Sequence, residues 1–223
     1  KLLKKKLIEN KILSIKIDPD TTSYELINFL QSSEIGCKFI QDPIFHLKSK
    51  KNKVEIQNLK VAHMFDGVAL VKFFFWLNKF KDKKKINEIS SQKKLENFRK
   101  ENSFYLGPSF PSISGFNKNA AIIHYNATNK TNLPFKGTGI YLLDTGGQYS
   151  WGTTDVTRTI SLGKPSLYKK NIYTRVLKGH LALKNFKLKS NTTGTQLDRA
   201  ARKYLKQIGF DYPHSTGHGV GYY

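Results

Sequence analysis

The stretch Tyr141-Leu-Leu-Asp-Thr-Gly-Gly-Gln-Tyr-Ser-Trp-Gly-Thr-Thr-Asp-Val-Thr-Arg-Thr159 decides the fold. It joins two segments that are typical of β-strands. Residues 139–144 form a short apolar run, and residues 154–162 are rich in β-branched side chains. Gly146 and Gly147 between them allow a bulge or a sharp bend in the chain. The stretch therefore predicts a strand pair with an irregular connection.

The two aspartates of this stretch, Asp144 and Asp155, are its candidate functional residues. A hairpin turn near Tyr149 and Ser150 places them directly opposite each other on one face of the pair. Two bare carboxylates so close together repel unless a cation or a shared proton lies between them. Three interpretations stay open from the spacing alone: a metal site, a proton-sharing aspartic dyad, and two loop aspartates that cap turns.

The histidines supply the second half of a candidate metal site. His214 and His218 have the i, i+4 spacing of helical ligands, but the glycines at 217, 219 and 221 favour an irregular strand or loop. One imidazole added to several carboxylate oxygens suits Mn²⁺, Co²⁺ or Zn²⁺ better than Mg²⁺ or Ca²⁺. His124, near the end of a predicted buried strand over 120–125, is a further site candidate. The remaining histidines are interpreted as surface or packing residues: His46, His63 and His180.

The composition excludes several other classes of protein. The net charge of +22 suggests a nucleic-acid partner, but only five of the 38 basic residues are arginine, the residue that such sites favour. A main role in nucleic-acid binding is therefore not expected. A single cysteine, Cys37, excludes an internal disulfide and a cysteine-rich zinc site. No apolar run approaches the roughly 20 residues that a membrane-spanning helix needs.

The pattern changes once along the chain. Residues 1–45 read as strand, helix and strand, a small α/β piece that resembles the end of a preceding domain. From 46 onward the periodicity predicts a long amphipathic helix over 51–81 and a second helix over 86–102. After the strands, helices are predicted over 167–187 and over 195–207, the last capped by Thr195. Residues 46–223 therefore read as part of a mixed α+β domain.

Several blocks of the sequence resemble the M24 "pita-bread" metallopeptidases, and most closely their cytosolic aminopeptidase P branch. The resemblance covers about residues 48–221. Its most specific blocks are Gly152-Thr-Thr-Asp-Val-Thr-Arg-Thr159 and Thr216-Gly-His-Gly-Val-Gly221. It implies that residues 46–223 are the N-terminal part of a pita-bread catalytic domain. By the same resemblance, residues 1–45 are the tail of an α/β creatinase-N-like domain.

The resemblance also implies the roles of the candidate residues. Asp144, Asp155 and His218 are expected to bind two divalent metal ions, most commonly Mn²⁺, with Asp155 bridging the two. His124 and His214 are expected to contact the substrate and to stabilise the tetrahedral intermediate. The implied reaction releases the N-terminal residue of peptides that carry proline in the second position, by attack of a metal-bridging hydroxide on the Xaa-Pro amide.

Two glutamate ligands and a later histidine of the family pattern follow the histidine segment in relatives and have no counterpart here. We therefore expect the chain to be a C-terminally truncated fragment that is inactive alone, and assign the activity to the intact protein. The alternatives are a prolidase, which cuts only Xaa-Pro dipeptides, and a non-catalytic pita-bread protein that binds peptides or nucleic acid. A cytoplasmic location, peptide substrates, no membrane contact and a homodimer are expected for the intact protein.

Overall fold

The computed structural model of the protein describes residues 1–80 and 83–222, apart from the side chain of Lys84. The chain divides into two compact units, Lys1–Asn52 and Lys53–Tyr223. This division lies close to the predicted boundary at residue 45. The assignment of residues 1–45 to the end of a larger non-catalytic domain stays a prediction. Among the described residues, every helix is too short or too polar to cross a membrane.

Unit 1 is a parallel strand pair with helices. Its strands β1 (Ser14–Ile17) and β2 (Gly36–Phe39) pair in parallel, and Ile17, Leu30 and Ile35 form its small core. Parallel strands need a crossover, which the second helix provides. That helix begins after Ser23, whose side chain accepts a hydrogen bond from the Leu26 amide. The elements of unit 1 are α1 (Leu2–Glu9), β1 (Ser14–Ile17), α2 (Tyr24–Ser32), β2 (Gly36–Phe39) and α3 (Pro43–Ser49).

Unit 2 contains the four long helices that the periodicity predicted. They are α4 (Lys53–Lys79), α5 (Glu88–Lys100), α6 (Leu167–Lys184) and α7 (Gly194–Lys206). The predicted end of α4 at residue 81 lies outside the described part of the chain. The predicted cap of α7, Thr195, is wrong. Thr193 is the cap, because its side chain accepts from the Gln196 amide while the Gln196 side chain accepts from the Thr193 amide.

In the described part of unit 2, six strands form two antiparallel three-stranded sheets. The strands are β3 (Tyr105–Pro108), β4 (Ile113–Phe116), β5 (Gly139–Thr145), β6 (Gly147–Tyr149), β7 (Gly152–Thr153) and β8 (Val156–Leu162). The strand order is β4-β5-β8 in one sheet and β3-β6-β7 in the other. The strands predicted over 139–144 and 154–162 are confirmed as β5 and β8, which pair over their whole length. The other four were not predicted, because each is only two to four residues long.

The connection between β5 and β8 differs from the predicted hairpin. Asp144 lies opposite Thr157, not opposite Asp155, because the chain leaves the first sheet at Gly146 to form the β6–β7 pair. A Cβ atom at Gly146 would lie 2.0 Å from the Thr154 carbonyl oxygen. Only glycine allows these two segments of the chain to approach so closely, and the approach diverts the strand into the second sheet.

The predicted strand over 120–125 is also wrong. A short 3₁₀ helix covers Asn117–Ala121, and an irregular turn follows. The Tyr125 amide donates to the Ile122 carbonyl, and His124 adopts a left-handed φ of 54°. The apolar run reads as a buried strand, but its backbone groups bond locally, and of its last residues only Tyr125 is buried.

The core of unit 2 lies between helices α4 and α5 and the β4-β5-β8 sheet. The burial of β5 alternates strictly, so that Tyr141 and Leu143 face this core while Leu142 and Asp144 face away from it. The other fully buried residues at the centre are large and apolar: Phe73, Leu77, Leu95 and Phe135. One face of β5 thus stabilises the unit, and the opposite face carries Asp144.

A buried ion pair connects the two helices to the sheets. The Arg99 guanidinium donates to both carboxylate oxygens of Asp66, at 2.6 and 3.1 Å, and to the Thr145 hydroxyl at 2.7 Å. The Tyr149 hydroxyl donates to Asp66 at 3.0 Å. Burial, together with the Asp66 charge, raises the pKa of Tyr149 and keeps it a donor. Because each polar group of the pair has partners, both charges stay buried at tolerable cost.

A second buried carboxylate, Glu88, organises the segment that contains His124. It accepts hydrogen bonds from the Phe116 amide at 2.7 Å, the Leu133 amide at 2.9 Å and the Tyr125 hydroxyl at 2.8 Å. The Asn119 side chain donates to it as well. The irregular segment is therefore fixed at both ends and in the middle by one side chain of α5.

We predict that Asp66→Asn destabilises unit 2 by about 3–5 kcal/mol, because it leaves the buried Arg99 charge without its counterion. Hydrogen exchange measured on peptides from α4 and α5 reports this loss without interference from other parts of the protein. Lys72→Met is the control, since it breaks only the exposed Lys72–Glu101 pair on the same helix, which is worth at most about 1 kcal/mol. Equal protection in both variants would contradict the assigned role of the ion pair.

We predict that Glu88→Gln speeds hydrogen exchange selectively over residues 116–133. The amide keeps the shape of the side chain but loses the charge that strengthens its hydrogen bonds. A hydrogen bond to a charged group contributes about 1.5–3 kcal/mol. Glu101→Gln, at the exposed end of the same helix, should leave that segment unchanged. Unaltered protection of the segment in Glu88→Gln would show that its conformation has another origin.

Candidate functional site

Asp144 reaches the site from the outer face of β5. The Thr157 hydroxyl, directly opposite on β8, donates to the Asp144 carboxylate at 2.7 Å. This contact holds one oxygen of the carboxylate in place. The strand pairing therefore sets both the position and the orientation of the side chain.

Asp155 lies just before β8 and is positioned by the residue before it. The fully buried Thr154 side chain accepts a hydrogen bond from the Gly147 amide at 2.8 Å, and its carbonyl accepts one from the Ser109 hydroxyl at 2.8 Å. Asp155 is two residues before Thr157, the partner of Asp144. The two aspartates are thus diagonal neighbours on one face, a closely related arrangement to the opposed pair that was predicted.

The electrostatics of Asp155 reflect this crowding. Burial raises the pKa of its carboxyl group, and the Asp144 charge raises it further. The rings of His218 and His63, when protonated, act in the opposite direction. His63 was interpreted as a surface or packing histidine, and its Nδ1 lies 2.8 Å from the Leu59 carbonyl oxygen in α4. Its position close enough to affect the pKa of Asp155 is a feature that the sequence alone gave no means to detect.

His218 approaches Asp155 with one ring nitrogen. Its Nε2 lies 3.5 Å from an Asp155 carboxylate oxygen, whereas its Nδ1 lies 2.9 Å from the Gly219 carbonyl oxygen. A carbonyl only accepts, so Nδ1 carries the hydrogen in this contact, and the neutral ring presents an unprotonated Nε2. That is the form in which imidazole binds a metal ion. The segment around His218 is irregular, as the glycines predicted.

His214 and His124 lie beside the carboxylates. The His214 ring stacks on the Tyr212 ring with centroids 4.7 Å apart, and its Nδ1 donates to the Ser215 carbonyl at 2.8 Å. Both histidines are exposed, so their rings are accessible to a ligand. The next residue after His124, Tyr125, is anchored on Glu88.

Two adjoining cavities bring the five candidate residues together. One, of about 520 Å³, is lined by Asp144, Asp155, His218 and His124. The other, of about 460 Å³, is lined by His214 together with the same His124 and Asp144. The apolar wall of the first cavity consists of Phe110, Pro111 and Ile113. Residues that are far apart in sequence thus face one connected region.

The donors in this region fit a divalent cation. Within residues 1–80 and 83–222, no group of three or more His, Cys, Asp or Glu side chains is spaced closely enough to hold a metal ion by itself. Asp144 and Asp155 nevertheless share a cavity, in which burial and the nearby Asp144 charge raise the pKa of Asp155. A cation relieves the repulsion between the two carboxylates, and the free Nε2 of His218 adds a nitrogen donor.

Two residues that support this site were missed at the level of sequence, Glu88 and Arg202. Glu88 begins α5, where an acidic residue is explained by the helix dipole alone. Arg202 contacts the histidine segment, as described below. A signal for it existed, because arginine is rare among the basic residues of this chain, and the guanidinium fork is favoured where several acceptors must be satisfied at once.

Comparisons with known proteins agree with this geometry. The model of metallopeptidase family M24 matches residues 57–223. The Xaa-Pro aminopeptidase 1 of Dictyostelium discoideum is 42% identical over 93% of this chain and 33% of its own length. The chain thus spans about a third of the curated relatives it matches.

Solved structures show the same relationship. An X-prolyl aminopeptidase from Caenorhabditis elegans, described as a cytosolic enzyme with a di-nuclear active site, has a TM-score of 0.85 and 31% identity over 98% of this chain and 36% of its own. The prolidase from Pyrococcus furiosus has a TM-score of 0.78 and 26% identity over 93% of this chain and 59% of its own. The chain therefore belongs to metallopeptidase family M24 and has the mixed α+β, pita-bread fold that was predicted.

Proposed function

We propose that the full-length protein is a metal-dependent aminopeptidase that removes the N-terminal residue from peptides with proline in the second position. The observation that carries the proposal is the meeting of Asp144, Asp155 and His218 in one cavity that His124 also lines. Relatives named Xaa-Pro aminopeptidase support the substrate class. Because the chain spans about a third of these relatives, the activity is assigned to the full-length protein.

The proposed metal ligands in this chain are Asp144, Asp155 and His218, and the proposed cofactor is a pair of divalent cations. Mn²⁺ is favoured, with Co²⁺ and Zn²⁺ as alternatives, because the donors mix carboxylate oxygens with one imidazole nitrogen. Divalent cations bound there would polarise a carbonyl group and lower the pKa of a bound water molecule toward neutrality. The C. elegans enzyme, with its di-nuclear site, supports the count of two.

His124 and His214 are proposed to bind and orient the peptide. The His214 ring is held by its stack on Tyr212 and by the bond from Nδ1 to the Ser215 carbonyl, so its Nε2 is free to contact the substrate. Two prepositioned imidazoles beside the carboxylates hold a scissile amide in place without a large loss of side-chain entropy.

The first cavity also accounts for an apolar group at the second position of the peptide. Its wall of Phe110, Pro111 and Ile113 lies beside the carboxylates and His218. Binding sites of this kind combine apolar walls with a few convergent polar groups. A pyrrolidine ring against this wall would exclude water from the adjacent amide.

The alternatives of a prolidase and of a non-catalytic pita-bread protein are less favoured. The prolidase from P. furiosus is 26% identical to this chain, whereas the Xaa-Pro aminopeptidase 1 of D. discoideum is 42% identical. A non-catalytic protein has no need for two carboxylates and an imidazole in a single cavity. We also propose a cytoplasmic location, supported by the description of the C. elegans enzyme as cytosolic. The homodimer stays a prediction.

We predict that Asp155→Asn and His218→Ala each reduce both metal binding and kcat by more than about 100-fold. The loss of groups that merely orient metal ligands costs about 10–100-fold, and the loss of a ligand itself should cost more. Metal content of the purified protein and calorimetric titration with Mn²⁺ measure the first effect, and peptide hydrolysis the second. Asp20→Asn, an exposed aspartate of unit 1, is the matched control. Metal content at the wild-type level in both site variants would refute the ligand assignment.

We predict that the full-length protein, loaded with Mn²⁺, releases arginine from Arg-Pro-Pro and alanine from Ala-Pro-Ala but leaves Ala-Ala-Ala intact. Proline is required because the apolar wall recognises its ring. Chromatographic quantification of the released residue is the measurement. Cleavage of the Ala-Pro dipeptide but of neither proline tripeptide would identify a prolidase instead. Equal cleavage of Ala-Pro-Ala and Ala-Ala-Ala would reject the proposed specificity.

A further inference from the structure

Arg202, on the last turns of α7, binds the backbone of the segment that carries His214. Its guanidinium donates to the Tyr212 carbonyl at 2.6 Å and to the His214 carbonyl at 2.7 Å. It also donates to the carboxylates of Asp198, at 2.8 and 2.9 Å, and Asp211, at 2.7 Å. The Arg202 side chain is only 13% exposed, although the segment it binds lies at the surface.

The same guanidinium lies over an aromatic ring. Its central carbon is 3.9 Å from the centroid of the Tyr212 ring, and the other neighbour of that ring is the imidazole of His214. The Tyr212 ring thus packs against both the Arg202 guanidinium and the His214 imidazole. Because packed groups restrict each other, the Arg202 fork limits the orientations of the His214 ring through Tyr212.

A further link reaches toward His218. The Thr216 hydroxyl donates to the Asp198 carboxylate, and it also lies 2.8 Å from the Tyr212 hydroxyl. Thr216 is midway between His214 and His218 in sequence. The segment belongs to no helix or strand and is rich in glycine, so these side-chain contacts determine its course.

We propose that Arg202, together with Asp198, is the positioning pair of the site. It holds the 212–216 backbone so that His214 faces the substrate cavity and His218 directs its Nε2 at Asp155. This assignment rests on the proposed function, since it supplies the geometry that function requires. Lysine cannot replace Arg202, because a single ammonium group cannot satisfy two carbonyls and two carboxylates in one plane or stack flat on Tyr212.

The test compares Arg202→Lys with Arg175→Lys in the full-length, Mn²⁺-loaded protein. Arg175 is a matched control, because its guanidinium also binds a carbonyl of α7, that of Tyr204 at 3.1 Å, but does not contact the histidine segment. We expect Arg202→Lys to weaken Mn²⁺ binding about 10–100-fold and to lower kcat by a similar factor even at saturating Mn²⁺. Arg175→Lys should change neither, while both variants keep similar circular dichroism spectra.

Chemical rescue separates positioning from general stability. In Arg202→Ala, millimolar ethylguanidinium should restore part of the lost kcat by occupying the place of the missing fork. The same additive should have no such effect on the wild type or on Arg175→Ala. If Arg202→Lys does not fold, Thr216→Val provides the same comparison. It removes only the hydroxyl between Asp198 and Tyr212, and should lower Mn²⁺ affinity and kcat.

The outcomes distinguish this inference from the proposed function. An active wild type with equal kcat and equal Mn²⁺ affinity in Arg202→Lys and Arg175→Lys would overturn the positioning role and leave the peptidase assignment intact. A wild type that binds Mn²⁺ but cleaves no proline peptide would overturn the activity. In that case, a loss of Mn²⁺ affinity confined to Arg202→Lys would still support the positioning role.

Discussion

The antiparallel register of β5 against β8 is the constraint on which the site depends. Because side chains alternate along a strand, a shift by one residue would turn Asp144 into the core and expose Tyr141 and Leu143. The energy of burying those two residues against α4 and α5 therefore selects the register. The same register sets Asp144 opposite Thr157 and brings Asp155 to the same face.

Holding two carboxylates close together costs folding free energy, and other interactions in the fold offset that cost. Asp144 and Asp155 share one cavity, and burial together with the Asp144 charge raises the pKa of Asp155. The buried Arg99–Asp66 pair meets the opposite requirement, since its charges satisfy each other and need no ligand. The Asp66 carboxylate thus has its counterion within the protein, whereas Asp144 and Asp155 together can still bind a cation. That difference, more than the presence of aspartates, distinguishes a structural cluster from a ligand-binding one.

The sequence predicted those parts of the molecule in which local pattern and tertiary packing agree. The strands β5 and β8 and the helix α4 form where they were predicted, and the burial of β5 alternates as expected of a strand with one face in the core. The strand predicted before His124 was wrong. Its apolar run is typical of a strand, whereas hydrogen bonds to the buried Glu88 hold the segment in turns. The prediction of a simple hairpin was wrong for a related reason. The close contact at Gly146 depends on the Thr154 segment as well, so the local sequence does not reveal it.

The histidines show why a site of this kind needs helices that contribute no ligand. His124 and His214 lie on irregular segments, which alone would sample many conformations. Each segment is held by one charged side chain from a helix: Glu88 of α5 for the first, Arg202 of α7 for the second. A single ionised group with several hydrogen bonds orders a segment that has little regular backbone pairing of its own. The flexible backbone thus gives the imidazoles access to ligand, and the charged anchors supply the precision that their chemistry requires.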